Sequence, residues 1–262
     1  MTDTIITTVR DASPVEEYLG HQLAEELETI YIHRNSQSIE NLKKIYNAQN
    51  VAVITQKGPV IHTAAGEYYF HLSMAELRIK NIENGKDDHM VTAMDLKPGM
   101  SVLDCTLGMA TDAIVASYVV GSSGRVIGLE KTPLIAAITR LGLQNYSIDN
   151  CRIKDAMKRI AVERADYNKY LADIPDNSID VIFFDPMFRR PINDSSSLKP
   201  LRVIADNQPL NRTAVQEALR VARRSVVIKE TRGSSEFQRL GIEKLIGGKY
   251  SSISYGVVEA GK

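Results

Sequence analysis

The order of apolar and polar positions divides the chain into two rhythms. In the first part, residues 13–30 show helical spacing with Ser13 placed as a cap and Pro14 in the first turn, and 38–47 form a second helix capped by Ser38. Short apolar runs at 31–34, 51–55, 59–64 and 67–71 predict strands, with Gly58 and Gly66 at turns. Helices are expected over 73–84 and 87–94. From Ser101 the pattern becomes a regular alternation. Strands are expected at 101–104, 124–130, 160–166, 179–185 and 225–230, and helices at 110–120, 133–146, 167–174, 211–224 and 234–247. One or two further strands fall within 250–259. Such alternation predicts an α/β fold with a doubly wound, mostly parallel sheet. The expected division is a small α/β N-terminal appendage over 1–89, offered as a substrate-binding region, and a second domain over 90–262.

Composition narrows the class. Of 262 residues, 44% are hydrophobic and 24% charged, as in ordinary globular proteins. No apolar run reaches the roughly 20 residues of a membrane span, and no secretory leader is visible. Two cysteines without histidine at metal-like spacing lead us to expect a cytoplasmic protein with no metal and no membrane partner. The net charge is zero but unevenly spread. Arg189 to Lys262 hold 14 Lys/Arg against 7 Asp/Glu, a balance of +7, so the preceding 188 residues carry −7. A basic surface for phosphates and solvated basic helix faces explain this equally well.

In doubly wound sheets ligands bind beyond the carboxyl ends of the strands, where the strand order reverses. The candidate residues there are Asp104, Glu130, Asp166, Asp185 and Glu230, all acidic. The first loop, "VLDCTLGMATDA", has one glycine, Gly108, and so lacks the G-x-G-x-x-G fingerprint of dinucleotide sites. An acid closing the strand suits a cofactor with a positive centre and an amino group, and S-adenosylmethionine is such a cofactor. Gly108 permits close approach, Thr106 and Thr111 offer hydroxyls, and Asp112 opens the next helix, where a carboxylate also suits the dipole. Glu130 is placed to accept ribose hydroxyls, and Asp166 to meet an adenine amino group or simply solvent. Cys105 reads as sheet packing rather than a nucleophile.

The stretches "LKPGMSVLDCTLGMATDA", "VIGLEKTP" and "FFDPMF" together resemble class I S-adenosylmethionine-dependent methyltransferases. More narrowly, they resemble the family of the ribosomal small-subunit RNA guanine-N2 methyltransferase J and its uncharacterised relatives, over about residues 90–259. The resemblance implies a Rossmann-like sheet of seven strands, with S-adenosylmethionine as cofactor and S-adenosylhomocysteine as product. Carried over residue by residue, it implies cofactor contacts at Thr111, Asp112, Glu130, Lys131, Asp166 and Asp185. Three features depart from the family pattern: Ala110 stands where a third glycine is usual, Thr111 where an arginine is expected, and residues 1–89 differ from the family's N-terminal part.

The tip "DPMF" then acquires a chemical reading beside the plainer one of a strand-ending turn. Asp185 and the Pro186 carbonyl are acceptors for an exocyclic NH₂, and Phe188 is a surface on which a base can stack. Arg189, Arg190, Lys199 and Arg202 flank a Ser-rich segment expected to form a loop that binds phosphates, with Lys229 as a further substrate contact. His71, Arg78 and Lys80 weigh more as surface residues. The expected activity is methylation of a nucleobase amine, guanine N2 in ribosomal RNA first. An amine methyltransferase acting on DNA or a small molecule, and a non-catalytic RNA-binding module, are the alternatives.

Overall fold

The structure is a computed structural model and describes residues 3–187 and 199–261. Two compact units divide the chain. The first gathers the described residues of Met1–His71, Pro133–Tyr146 and Asp194–Ala205, and the second those of Leu72–Thr132, Ser147–Asn193 and Asp206–Lys262.

The N-terminal segment of the first unit runs β1 (Thr4–Thr8), α1 (Pro14–Glu26), α2 (Ile39–Tyr46), β2 (Asn50–Thr55), β3 (Gly58–Thr63) and β4 (Gly66–Tyr69). The strands form a sheet of order β1-β2-β3-β4, with β1 parallel to β2 and the rest antiparallel. Gly58 and Gly66 adopt positive φ at the hairpin turns, as the sequence requires. Ser13 and Glu16 close a reciprocal capping box that starts α1 at Pro14. Residues 31–34 are not a strand; Tyr31 makes only an isolated bridge to Ile6.

The chain continues through α3 (Ala75–Glu83), α4 (His89–Met94), β5 (Ser101–Asp104), α5 (Thr111–Val120), β6 (Arg125–Glu130) and α6 (Pro133–Asn145). Helix α6 belongs to the first unit, where a Cβ on Gly142 would stand 2.0 Å from the Phe70 ring. Then come α7 (Cys151–Lys158), β7 (Ile160–Arg164), α8 (Tyr167–Asp173), β8 (Ile179–Phe184) and α9 (Lys199–Ile204), followed by α10 (Arg212–Val221), β9 (Ala222–Thr231), α11 (Ser235–Leu240), β10 (Lys244–Ile246) and β11 (Ile253–Glu259).

The second unit carries a seven-stranded sheet of order β10-β11-β9-β8-β5-β6-β7. The five strands β9, β8, β5, β6 and β7 are parallel, and β11 and β10 are antiparallel additions at one edge. Val181 to Phe184 are at most 1% exposed, as expected of a strand covered on both faces. Leu103, Ile182, Phe184 and Val226 share one core with Val215 and Ala218 of α10. The strand order reverses between β5 and β8, so the loops after Asp104 and Phe184 leave the sheet side by side.

Some boundaries differ from the sequence expectation. The helix expected over 234–247 stops at Leu240, because Gly241 takes a left-handed C-terminal position, and β10 follows. Residues 199–202, expected within a loop, belong to the short helix α9. The helix α10 ends at Val221, and β9 starts three residues earlier than expected.

Candidate active site

The loop after β5 is organised by carboxylates that accept backbone N–H groups. Asp104 is 3% exposed and its Oδ1 accepts from the Thr106 N–H at 3.0 Å. Burial pushes its pKa up to about 8, and the Asp112 and Asp185 charges act in the same direction. Gly108 has φ +50°, and a Cβ there would meet nothing closer than the Thr106 carbonyl at 3.9 Å, which leaves open space over the loop. Its N–H donates to Glu130 Oε2 at 3.1 Å, while Glu130 Oε1 accepts from Thr132 N at 2.8 Å. Glu130 thus ties the loop to the end of β6, and each oxygen keeps acceptor capacity for a hydroxyl. Ala110 sits at φ 60° just before α5, a left-handed position where an L side chain is disfavoured. Thr111 opens α5 and Asp112 lies in its first turn.

The tip after β8 is bonded to this loop. The Asp185 N–H donates to Thr106 Oγ1 at 2.6 Å, and Asp185 Oδ2 accepts from Lys229 Nζ at 2.7 Å. The same ammonium donates to Asp112 Oδ2 at 2.7 Å. Asp112 Oδ1 accepts from Arg78 Nη1 at 2.5 Å, and Arg78 grips both oxygens of Asp88 at 2.8 and 2.9 Å. Burial alone would raise the Asp112 carboxyl, but Lys229 and Arg78 outweigh it and hold it down at about 2. Burial lifts Asp185 to about 6, the nearby Asp112 charge adding to the rise and Lys229 opposing it. Pro186 and Met187 follow, half-buried.

The sequence reading placed Arg78 on the surface; its side chain is in fact only 16% exposed and sits between two carboxylates. Asp88 was not singled out at all. The available signal was its position as the cap of α4, where Oδ1 accepts from the N–H groups of Met90 and Val91. Lys229, expected as a substrate contact, is bound to two carboxylates. Lys131 donates to Asp206 at 2.6 Å and approaches Asp166 at 3.2 Å, so both expected cofactor contacts already belong to one ion group. Asp166 also caps α8. Cys105 is buried, and burial raises its thiol well above the usual range, as suits packing rather than nucleophilic attack. Phe188, Arg189 and Arg190 lie outside the described residues. Lys199 and Arg202 lie on α9, in the first unit, the former exposed and the latter half-buried. Among the described residues no group of three or more His, Cys, Asp or Glu is arranged to hold a metal, and no helix is long and apolar enough to cross a membrane.

These residues fit S-adenosylmethionine (SAM). A buried acid with spare acceptor capacity at the end of β5 suits an ammonium. An open glycine turn admits a ligand against the backbone, and a carboxylate at the end of β6 can accept ribose hydroxyls. Asp88, Arg78, Asp112, Lys229 and Asp185 sum to one negative charge when all are ionised, which favours a ligand of net positive charge.

Comparison with known proteins agrees. The family described as "Putative SAM-dependent methyltransferase" matches residues 42–250. The uncharacterised protein YpiP of Bacillus subtilis is 36% identical over 97% of this chain and 99% of its own. The ribosomal RNA small subunit methyltransferase J of Laribacter hongkongensis is 31% identical over 50% of this chain and 46% of its own. A SAM-dependent methyltransferase from Neisseria gonorrhoeae shares the fold with TM-score 0.67 at 14% identity, over 97% of this chain and 95% of that one. The chain therefore belongs to the SAM-dependent methyltransferase family, with S-adenosylmethionine as its cofactor.

Proposed function

We propose that the chain transfers a methyl group from SAM to an exocyclic amine of a nucleobase, with guanine N2 in ribosomal RNA as the first candidate. The observation that carries this reading is the bond from the Asp185 N–H to Thr106 Oγ1, which sets an acidic Asp-Pro tip against the cofactor loop at the switch point of the sheet. Bound SAM supplies an electrophilic methyl group on a sulfonium. The protein's part is to position the nitrogen and handle its charge. An exocyclic amine is a weak nucleophile because its lone pair is delocalised into the ring. A carboxylate accepting one N–H favours localisation of that lone pair and takes up the developing positive charge, and the Pro186 carbonyl is a second acceptor. Holding the nitrogen in line at near-attack distance supplies several kcal/mol more. The surplus proton of the methylated nitrogen passes to Asp185 and on to water.

In this reading Asp104, Thr106, Gly108, Thr111, Asp112, Glu130, Lys131 and Asp166 line the cofactor site. Phe188 stacks on the base, and Arg189, Arg190, Lys199 and Arg202 meet phosphates. The N-terminal region expected over 1–89 serves substrate recognition, apart from Arg78 and Asp88, which belong to the ion network behind Asp112. The RNA target rests on the name of the Laribacter relative and on the basic balance of +7 from Arg189 onwards. A base within a duplex has first to be flipped out.

Replacing Asp185 with Ala tests the tip. Calorimetry should find SAM affinity within about tenfold of wild type. Methyl transfer to RNA from cells lacking the gene should fall by on the order of 10²-fold or more, as for loss of a proton acceptor. Transfer that survives the substitution unchanged contradicts the assignment of Asp185.

A further inference from the structure

Strand register places a cation beside Asp185. Strands β8 and β9 run parallel with Phe184 opposite Ile228, so the next residues along the two strands, Asp185 and Lys229, leave that pair together. Their side chains meet at 2.7 Å, and the Lys229 ammonium reaches Asp112 at the same distance. Asp112 is held from its other side by Arg78 of α3, and Arg78 by Asp88, which is itself fixed as the cap of α4. Five charges of alternating sign thus run from the start of α4 to the tip of β8.

We propose that Lys229 is a positioning residue for methyl transfer, which holds Asp185 ionised and turns one of its oxygens towards the acceptor amine. The proposal rests on the reading of Asp185 as the amine's acceptor. The groups around Asp185 show why a cation is needed there. Burial first, and then the charge of Asp112 on α5, raise the tendency of Asp185 to keep a proton. Arg78 is engaged with Asp88 and Asp112. Tyr255 of β11 pairs with Lys229 across the ladder, and burial raises its phenol, which therefore stays neutral. Among the described residues Lys229 is the cation bonded to Asp185. With it, Asp185 titrates at about 6 and is ionised at neutral pH. Without it, burial and the charge of Asp112 act unopposed, and a protonated Asp185 cannot take up a proton from the amine. The Lys229 Nζ–H donates to Asp185 Oδ2, and among the described residues this leaves Asp185 Oδ1 for the acceptor. Two of the three ammonium protons go to carboxylates, and this braces the side chain in place.

The test compares wild type with Lys229→Met, Lys229→Gln and Lys229→Arg, each checked for folding by thermal melting. Carbon-13 NMR of labelled aspartate, with Asp185→Asn to assign the signal, follows Asp185 ionisation without reference to activity. Transfer of labelled methyl from SAM to RNA from cells lacking the gene is then measured against pH. We expect the Asp185 titration to rise by at least about one unit in the Met and Gln variants, a tenfold change in ionisation equilibrium. Transfer at pH 7 should fall, recover at higher pH, and stay near wild type in the Arg variant. An unshifted Asp185 titration in both the Met and Gln variants overturns the proposal. A shifted titration with an unshifted transfer profile supports the hold of Lys229 on the charge of Asp185 but overturns the role of Asp185 in transfer, and with it the positioning role.

Discussion

Asp104 shows how much of the site depends on one buried carboxyl. Its pKa of about 8 lies above the ordinary carboxylate range, so between roughly pH 4 and pH 8 the folded chain holds a proton that the unfolded chain has released. Stability contributed by the protonated form is therefore present at low pH and lost as pH rises through 8. The slope for one group is about 1.4 kcal/mol per pH unit. In Asp104→Asn this loss disappears. Urea unfolding at pH 5 and pH 8 should show the variant gaining about 2–4 kcal/mol on wild type between the two conditions. Parallel stability profiles would contradict this ionisation state. Asp104 itself was legible in the sequence, because an acid at the end of the first strand of a parallel sheet has few structural reasons to be there. Its protonation was not legible, since that depends above all on burial, and in part on Asp185, which lies far from it in sequence.

At the scale of elements, the network joins pieces that no local pattern connects. Arg78 lies on α3, ten residues before Asp88 and 34 before Asp112. Arg78→Met removes the cation from between two carboxylates that are 12% and 6% exposed. Breaking a buried pair typically costs 3–5 kcal/mol, and because Asp88 keeps its cap bonds and Asp112 keeps Lys229, we expect a loss of about 3 kcal/mol by chemical denaturation at pH 7. A loss below about 1 kcal/mol would mean that the pair behaves as a surface bridge. Legibility of the elements themselves follows the same logic. The strongly patterned β5, β6 and β8 and the capped α1 and α2 were readable from periodicity and end signals. Strand β1 was missed although its five residues are all β-branched, a local strand signal, and it pairs in parallel with β2 some 46 positions away. Helix α7 was missed although Asn150 caps it and its buried Ile153, Ala156 and Met157 stand at helical spacing. The overextended helix after Ser234 had a readable stop in Gly241.

For the whole molecule, the seven-stranded sheet brings the β5 loop, the end of β6 and the β8 tip to the carboxyl ends of its parallel strands. The acidic strand ends and the loop after β5 made the cofactor readable, whereas the ion chain around Asp185 needed the fold. What the account claims centrally is the transfer of a methyl group to a nucleobase amine. The most direct measurement incubates purified protein with SAM carrying a deuterated methyl group and RNA from cells lacking the gene, then resolves the nucleosides by mass spectrometry. The account predicts one labelled nucleoside, methylated on an exocyclic nitrogen and with guanosine N2 the first candidate, and no label with Asp185→Ala. Label on a ring carbon or a ribose oxygen, or RNA left unlabelled by a protein that binds SAM, would contradict it.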